Sequence, residues 1–368
     1  MGDSLGRMAY SLGNDDLDER IAQLVADGSD NPGSDLVVEL ITTAMKLHRD
    51  DPQRGDLKLI NTALKEMRYS NVVFGPRDEP KVTIFGSART AEDDPNYELA
   101  MDLAATMADH GWATVTGAGP GIMEAGNRGA GRDNGYGVAI QLPFETSANS
   151  WIAPNRLVNF KYFFTRKLAF IKESNGFAIF PGGFGTLDEF FELLTLIQTG
   201  KTDLAPIVVV EAPGTDYWEP VLGEVTRILA DHGMISPDDP SLVRHCTTVD
   251  EVVEELRGFY ANYHSQRYVD GILVLRMHRA PDDEVLAQLN EDYRDIVVSG
   301  TIDRIEATAP EVADDDNVDL ARLRLHFNRR AFGRLRALLN DLNDLVSAPV
   351  GSMPAAGHIT EEQAERPW

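Results

Sequence analysis

The chain of 368 residues has one cysteine, Cys246, and so no internal disulfide framework. That usage fits a reducing compartment such as the cytoplasm. No apolar run approaches the roughly 20 residues that a membrane-spanning helix needs. The start, MGDSLGRMAY, lacks a basic segment followed by an apolar one, which argues against a secretory signal. Gly6 stands where a myristoylation signal needs Ser or Thr. Positive charge is scarce: 34 Lys and Arg against 59 Asp and Glu leave a formal net charge of −25. A nucleic-acid-binding face must be basic, so none is expected. The same imbalance repels a small anionic ligand, which would need a local cluster of cations. Two phosphate signatures are missing as well. No Walker loop is present, and after Gly117 and Gly119 it is Ile122 that occupies the last glycine position of a dinucleotide fingerprint. No His/Cys/Asp cluster has metal-ligand spacing, so neither a metal nor an organic cofactor is expected.

What is present is an ordinary hydrophobic content of 43% and a clear alternation of patterns. Residues 1–78 carry helical periodicity and read as a helical N-terminal extension. From 79 to 262 strands alternate with helices. The strands are KVTIFG (81–86), ATVTG (113–117), GVAIQLP (137–143), GFAIFP (176–181), APIVVVE (205–211) and RHCTTV (244–249). This predicts an α/β core, a doubly wound, Rossmann-like parallel sheet whose ligand sits outside the carboxyl ends of the strands. Cys246 falls in one of these strands and reads as a packing residue, not a nucleophile. Residues 263–346 predict a small α/β C-terminal appendage. In it LARLRLHFN alternates strictly, with Arg322, Arg324 and His326 on an exposed face. Residues 347–368 read as a disordered tail.

The loops that follow the strands carry the candidate chemistry. In GSART, Ser87 offers a hydroxyl and Arg89 a fork of donors. The glycine-rich stretch 116–131 either brings backbone amides such as that of Gly119 to a phosphate or sugar, or packs a helix closely on a strand. The segment NFKYFFTRKLAFIKES (159–174) reads as a helix with Phe160, Phe164, Leu168 and Ile171 on one stripe. Lys167 lies inside that stripe, where it either snorkels or meets an anion, and Arg166 lies at its edge.

PGGFGTLDE (181–189) is the most pointed motif. An apolar strand runs into three glycines and then a helix, the geometry that aims backbone N–H groups at an anion. Glu189 then sets a carboxylate in the first helical turn. Thr186 and Glu189 also have capping-box spacing, so Glu189 either caps its own helix or faces a ligand.

Together, PGGFGTLDE, the Arg166–Lys167 pair, GSAR, GAGPGIMEA and LPFE resemble the LOG (LONELY GUY) family, often labelled "possible lysine decarboxylase". The resemblance covers about residues 80–262 and is to the larger bacterial-type members. It implies a phosphoribohydrolase that cleaves a nucleoside 5′-monophosphate, of the AMP type or with an N6-modified (cytokinin) base, into free base and ribose 5-phosphate. By the same resemblance Arg166 and Glu189 are catalytic. Glu145, Lys167, Gly182, Gly183, Phe184, Gly185, Thr186, Leu187, Asp188 and Thr195 would contact the nucleotide, and the chain would form a homo-oligomer with its site near the subunit contact. Two other readings stand beside this one. Lysine decarboxylation would need pyridoxal phosphate on a lysine, for which only Lys167 offers itself. A non-catalytic nucleotide- or cofactor-binding protein could use the same fold.

Overall fold

The structure is a computed structural model that describes residues 10–28, 33–141, 148–346 and 353–354. The chain forms two compact units, 1–65 and 66–368. In the first, α1 (Asp15–Gly28) and α2 (Ser34–Arg49) pack as a helix pair, with Ile21, Val38 and Thr42 buried. Helix α3 (Arg54–Phe74) begins in this unit and ends in the second.

The second unit is built on seven parallel strands: β1 (Lys81–Phe85), β2 (Ala113–Thr116), β3 (Gly135–Ile140), β4 (Leu157–Phe160), β5 (Gly176–Ile179), β6 (Ile207–Val210) and β7 (Val243–Cys246). Their order across the sheet is β4-β3-β2-β1-β5-β6-β7. Between them run α4 (Pro95–Asp109), α5 (Ile122–Ala130), α6 (Phe163–Lys172), α7 (Phe184–Gln198) and α8 (Trp218–Asp231), with α9 (Val249–Gly258) after β7. Strands β1, β2, β5 and β6 are buried along their whole length, as apolar runs covered on both faces must be. Right-handed crossovers lay α4 and α5 on one face and α6, α7 and α8 on the other. The chain steps outward from β1 to β4, then returns through α6 to β5 and proceeds the opposite way. That reversal puts the topological switch point between β1 and β5, where the carboxyl ends of the strands leave a crevice.

Strand β4 corrects the sequence reading. Its residues were expected to start a helix running 159–174, but Leu157–Phe160 pairs in register with Gly137–Ile140 and the helix starts only at Phe163. The expected stripe fails with it. Phe160 is buried in the sheet, whereas Phe164 and Leu168 are exposed, and α6 buries Thr165, Ala169 and Phe170 instead. Glu66, near the middle of α3, anchors this junction. Its carboxylate accepts from Lys161 N (2.8 Å) and Thr165 Oγ1 (2.6 Å).

After α9 comes an antiparallel sheet of order β10-β11-β9-β8. It comprises β8 (Tyr263–Val269), β9 (Ile272–Met277), β10 (Asp303–Ile305) and β11 (Ala321–Leu325), with α10 (Asp283–Asp292), α11 (Ala309–Ala313) and α12 (Phe332–Asn343). Asp270 and Gly271, both at positive φ, close the β8–β9 hairpin in two residues, as its twist demands. The exposed-face expectation for Arg322 is also corrected: the residue is 2% exposed. Arg322 lies directly opposite Arg276 on β9, a like-charge pair that would repel. Glu311 of α11 lies between them, accepting from Arg276 Nε (2.7 Å) and Arg322 Nε (3.2 Å). Burial alone would raise the pKa of Glu311, but bonds from Thr308 and Arg276 outweigh it and hold the carboxyl below its usual range. Arg324 is exposed as expected, and His326 is half-buried with its Nδ1 2.8 Å from Ser299 Oγ.

Of the C-terminal tail, only residues 353–354 are described; Pro354 O accepts from Asn175 Nδ2 (3.0 Å) beside β5. The rest of that expectation lies outside the described residues. Cys246 is buried in β7, where burial pushes its thiol up to about 11, so it stays protonated and is no nucleophile.

Candidate active site

The crevice at the switch point is a cleft of about 740 Å³. Four segments line it: the loop after β1 (Gly86, Ser87, Ala88, Arg89), Gly117 and Met123 around the loop after β2, Phe163 and Arg166 of α6, and every residue from Gly182 to Glu189. Backbone hydrogen bonds tie these loops together. Ser87 N donates to Pro181 O (3.1 Å), and Ile122 N donates to Ser87 O (3.1 Å). Gly121 permits that approach: it sits at φ +68°, and a Cβ there would lie 2.3 Å from Ser87 O. The glycines after β2 thus serve close packing, the second of their two readings. Gly119 is not part of the cleft lining; its carbonyl accepts from Asn149 Nδ2 (3.1 Å).

The glycine loop turns straight into α7, whose N-cap is Gly183. The helix therefore starts before Thr186, which sits inside the first turn, and among the described residues no side chain caps it. The capping-box reading of Glu189 is overturned. Its carboxylate lines the cleft and is mostly buried there, and its pKa rises to about 7. Burial is the main cause, opposed by the charges of Arg166 and Lys167 and reinforced by Glu192 and Asp188. The first-turn residues of α7, with no side-chain cap bonded to their amides, line the cleft at the positive end of the helix dipole.

Arg166 enters the cleft from α6. Its Nε donates to Val138 O (2.9 Å) within β3, and its guanidinium lies 5.1 Å from the Phe170 ring centroid. Gly117 makes room for it, since a Cβ at that position would lie 2.5 Å from Nη2. Arg89 is exposed at the cleft, and among the described residues its side chain has no ion-pair partner. Ser87 Oγ accepts from Arg89 N (3.0 Å), so the hydroxyl shapes its own loop.

Three expected site residues are not brought here or lie out of view. Lys167 Nζ pairs with Asp188 (2.9 Å) and Glu192 (2.6 Å) and is absent from the cleft lining. Thr195, further along α7, donates to Phe191 O (2.8 Å) and lines a separate cavity between α7 and α8. Glu145 and the rest of LPFE lie outside the described residues.

Sequence reasoning missed one supporting residue, Tyr217. Glu211, at the end of β6, accepts from Tyr217 N (2.8 Å), and Tyr217 OH donates to Gly182 O (2.6 Å), which holds the glycine loop in place. No local pattern announces it, because the two partners are 35 residues apart. Phe163 and Met123, which flank the cleft, carried no signal either.

Residues 121–256 match the family described as "Possible lysine decarboxylase". A cytokinin riboside 5′-monophosphate phosphoribohydrolase of Arabidopsis thaliana is 32% identical over 94 residues, 26% of this chain and 42% of that protein. One from Mycobacterium tuberculosis is 29% identical over 168 residues, 44% of this chain and 83% of that protein. The chain thus matches under half the length of the plant relative. The solved structure of a molybdenum cofactor carrier protein from Chlamydomonas reinhardtii is 22% identical, with 48% of this chain and 94% of that one covered at a TM-score of 0.33. The matched residues 121–256 contain α6, the glycine loop and α7, and it is over this stretch that the chain is similar to that family.

Proposed function

We propose that the protein hydrolyses the N-glycosidic bond of a purine nucleoside 5′-monophosphate, releasing the base and ribose 5-phosphate. The observation that carries this reading is Glu189: a carboxylate at the start of α7 that leaves its helix uncapped, faces the cleft and is tuned by burial to about 7. The names of the relatives support the same reaction.

The first-turn amides of α7 and the Arg89 side chain would hold the 5′-phosphate. This places C1′ within reach of Glu189. As the C1′–N bond breaks, its electron pair leaves with the base and positive charge grows on the sugar, which the carboxylate stabilises. Water adds to C1′ and gives a proton to Glu189, which passes it on to the departing base. Arg166 sets positive charge against the negative charge of the substrate. Phe184, 94% exposed at the cleft, offers a bare aromatic face for a flat base. Decarboxylation fits poorly, because pyridoxal phosphate needs a lysine in the cleft and the described lining contains none.

The test is incubation with AMP, N6-isopentenyl-AMP, GMP and CMP, with detection of free base and ribose 5-phosphate. Purine monophosphates are expected to be cleaved and CMP to be a poor substrate. Nucleotide binding without product at high enzyme concentration would support a carrier instead. Because the deprotonated base is the active form, kcat/KM should rise with pH up to about 7 and then level. Phe163, Phe164 and Leu168 form an exposed apolar strip on α6 beside the cleft, which suits a second copy of the chain. Light scattering that shows a monomer would remove that part of the reading.

A further inference from the structure

Lys167 is adjacent to Arg166 in sequence, yet the two side chains have different surroundings. Arg166 lines the cleft, whereas Lys167 is mostly buried between α6 and α7. There its ammonium meets two carboxylates one helical turn apart, Asp188 at 2.9 Å and Glu192 at 2.6 Å. Those two flank Glu189 on α7. Three acidic groups within five residues of one helix repel one another, and Asp188 and Glu192 stand at the i, i+4 spacing where like charges destabilise. One cation between them relieves that repulsion and clamps the first turns of α7 to α6.

We propose that Lys167 is a positioning residue: its bridge to Asp188 and Glu192 fixes the start of α7 and cancels the negative charge on either side of Glu189. This rests on the hydrolase reading above, and it departs from the nucleotide contact that family resemblance implies for this lysine. The charged groups acting on Glu189 are Arg166 and Lys167 from α6 and Asp188 and Glu192 from its own helix. Arg89 stands on another wall of the cleft. Arg166 lines the cleft, and Lys167 serves the helix.

The experiment compares the full-length wild type with Lys167→Met, Lys167→Arg and the double variant Lys167→Met/Glu192→Gln. Titration of Glu189, followed by carbon NMR of the labelled carboxyl without substrate, is the first readout. Its midpoint should rise by about one pH unit in Lys167→Met, stay near wild type in Lys167→Arg, and move back in the double variant, where one neighbouring carboxylate is gone. The second readout is kinetic. At pH 7, kcat should fall about fivefold in Lys167→Met with KM changed less than about threefold, and the rising limb of the pH profile should shift by the same unit. An unmoved Glu189 titration in a folded Lys167→Met protein overturns the proposal. So does a raised KM with kcat and the limb intact, which would make Lys167 a phosphate ligand. If Lys167→Met does not fold, failure of Lys167→Arg to keep the wild-type titration overturns it as well. Should the wild type cleave no nucleotide, the hydrolase reading fails, while the titration still decides the role of Lys167.

Discussion

Glu189→Gln is expected to lower turnover by at least about 10³-fold, since it removes both the base and the charge set against the growing cation. It should also stabilise the folded protein at alkaline pH. The carboxyl has a pKa of about 7 in the fold against an ordinary 4.5, so between those values the native state holds a proton that the unfolded chain releases. Stability therefore falls as pH rises from about 4.5 to 7, and the full loss, at most about 3 kcal/mol, persists above it. Glutamine, a near-isostere of the protonated acid, escapes that loss. Denaturant unfolding should find the variant more stable than wild type at pH 8 and equal to it near pH 4. A pH-independent difference, or unchanged turnover, would refute the role given to Glu189. The cost borne by the wild type has the sign expected where a site is shaped for chemistry at the expense of the fold.

Arg166→Ala is expected to cost at least about 10²-fold in kcat, the scale found when a charge partner of a transition state is removed. Arg166→Lys should recover little. The guanidinium is held by Nε on Val138 O while its outer nitrogens point toward Gly117, and an ammonium cannot make both approaches. Gly117→Ala tests the same geometry without touching the arginine. The added Cβ would meet Arg166 Nη2 and Met123 Sδ, both ends of flexible side chains, so the fold should survive while the guanidinium is displaced. Its activity should drop in the same direction as Arg166→Ala, though by less. Steady-state kinetics decide the matter: a rise in KM alone, with kcat unchanged in both variants, would reduce Arg166 to a binding group.

Much of the core was legible because its signals are local. Short apolar or alternating runs separated by helical patterns read the same way in any context, and six of the seven parallel strands were found by them. The strand that was missed, Leu157–Phe160, contains Asn159 and precedes a lysine. What makes it a strand is the hydrogen bonding of the β3 edge, some 20 residues earlier in the chain. Arg322 misled for a similar reason. Strict alternation put it among exposed residues, but the carboxylate of Glu311, carried in by another element, and backbone carbonyls within 316–320 make its burial tolerable.

The same division runs through the site. Residue order alone established a doubly wound sheet, a glycine loop entering a helix at its carboxyl edge, and an arginine and a glutamate close to that loop. It could not decide what Glu189 and Lys167 do, because each pattern admits two physical outcomes of similar local energy. Thr-x-x-Glu suits a cap wherever a helix begins at the threonine, but here the helix begins earlier, at Gly183, and the glutamate is left to the cleft. A lysine among apolar residues either reaches solvent or finds a carboxylate. Packing α6 against α7 supplies two, and the Coulomb energy of that pairing is available only after elements 20 residues apart have met.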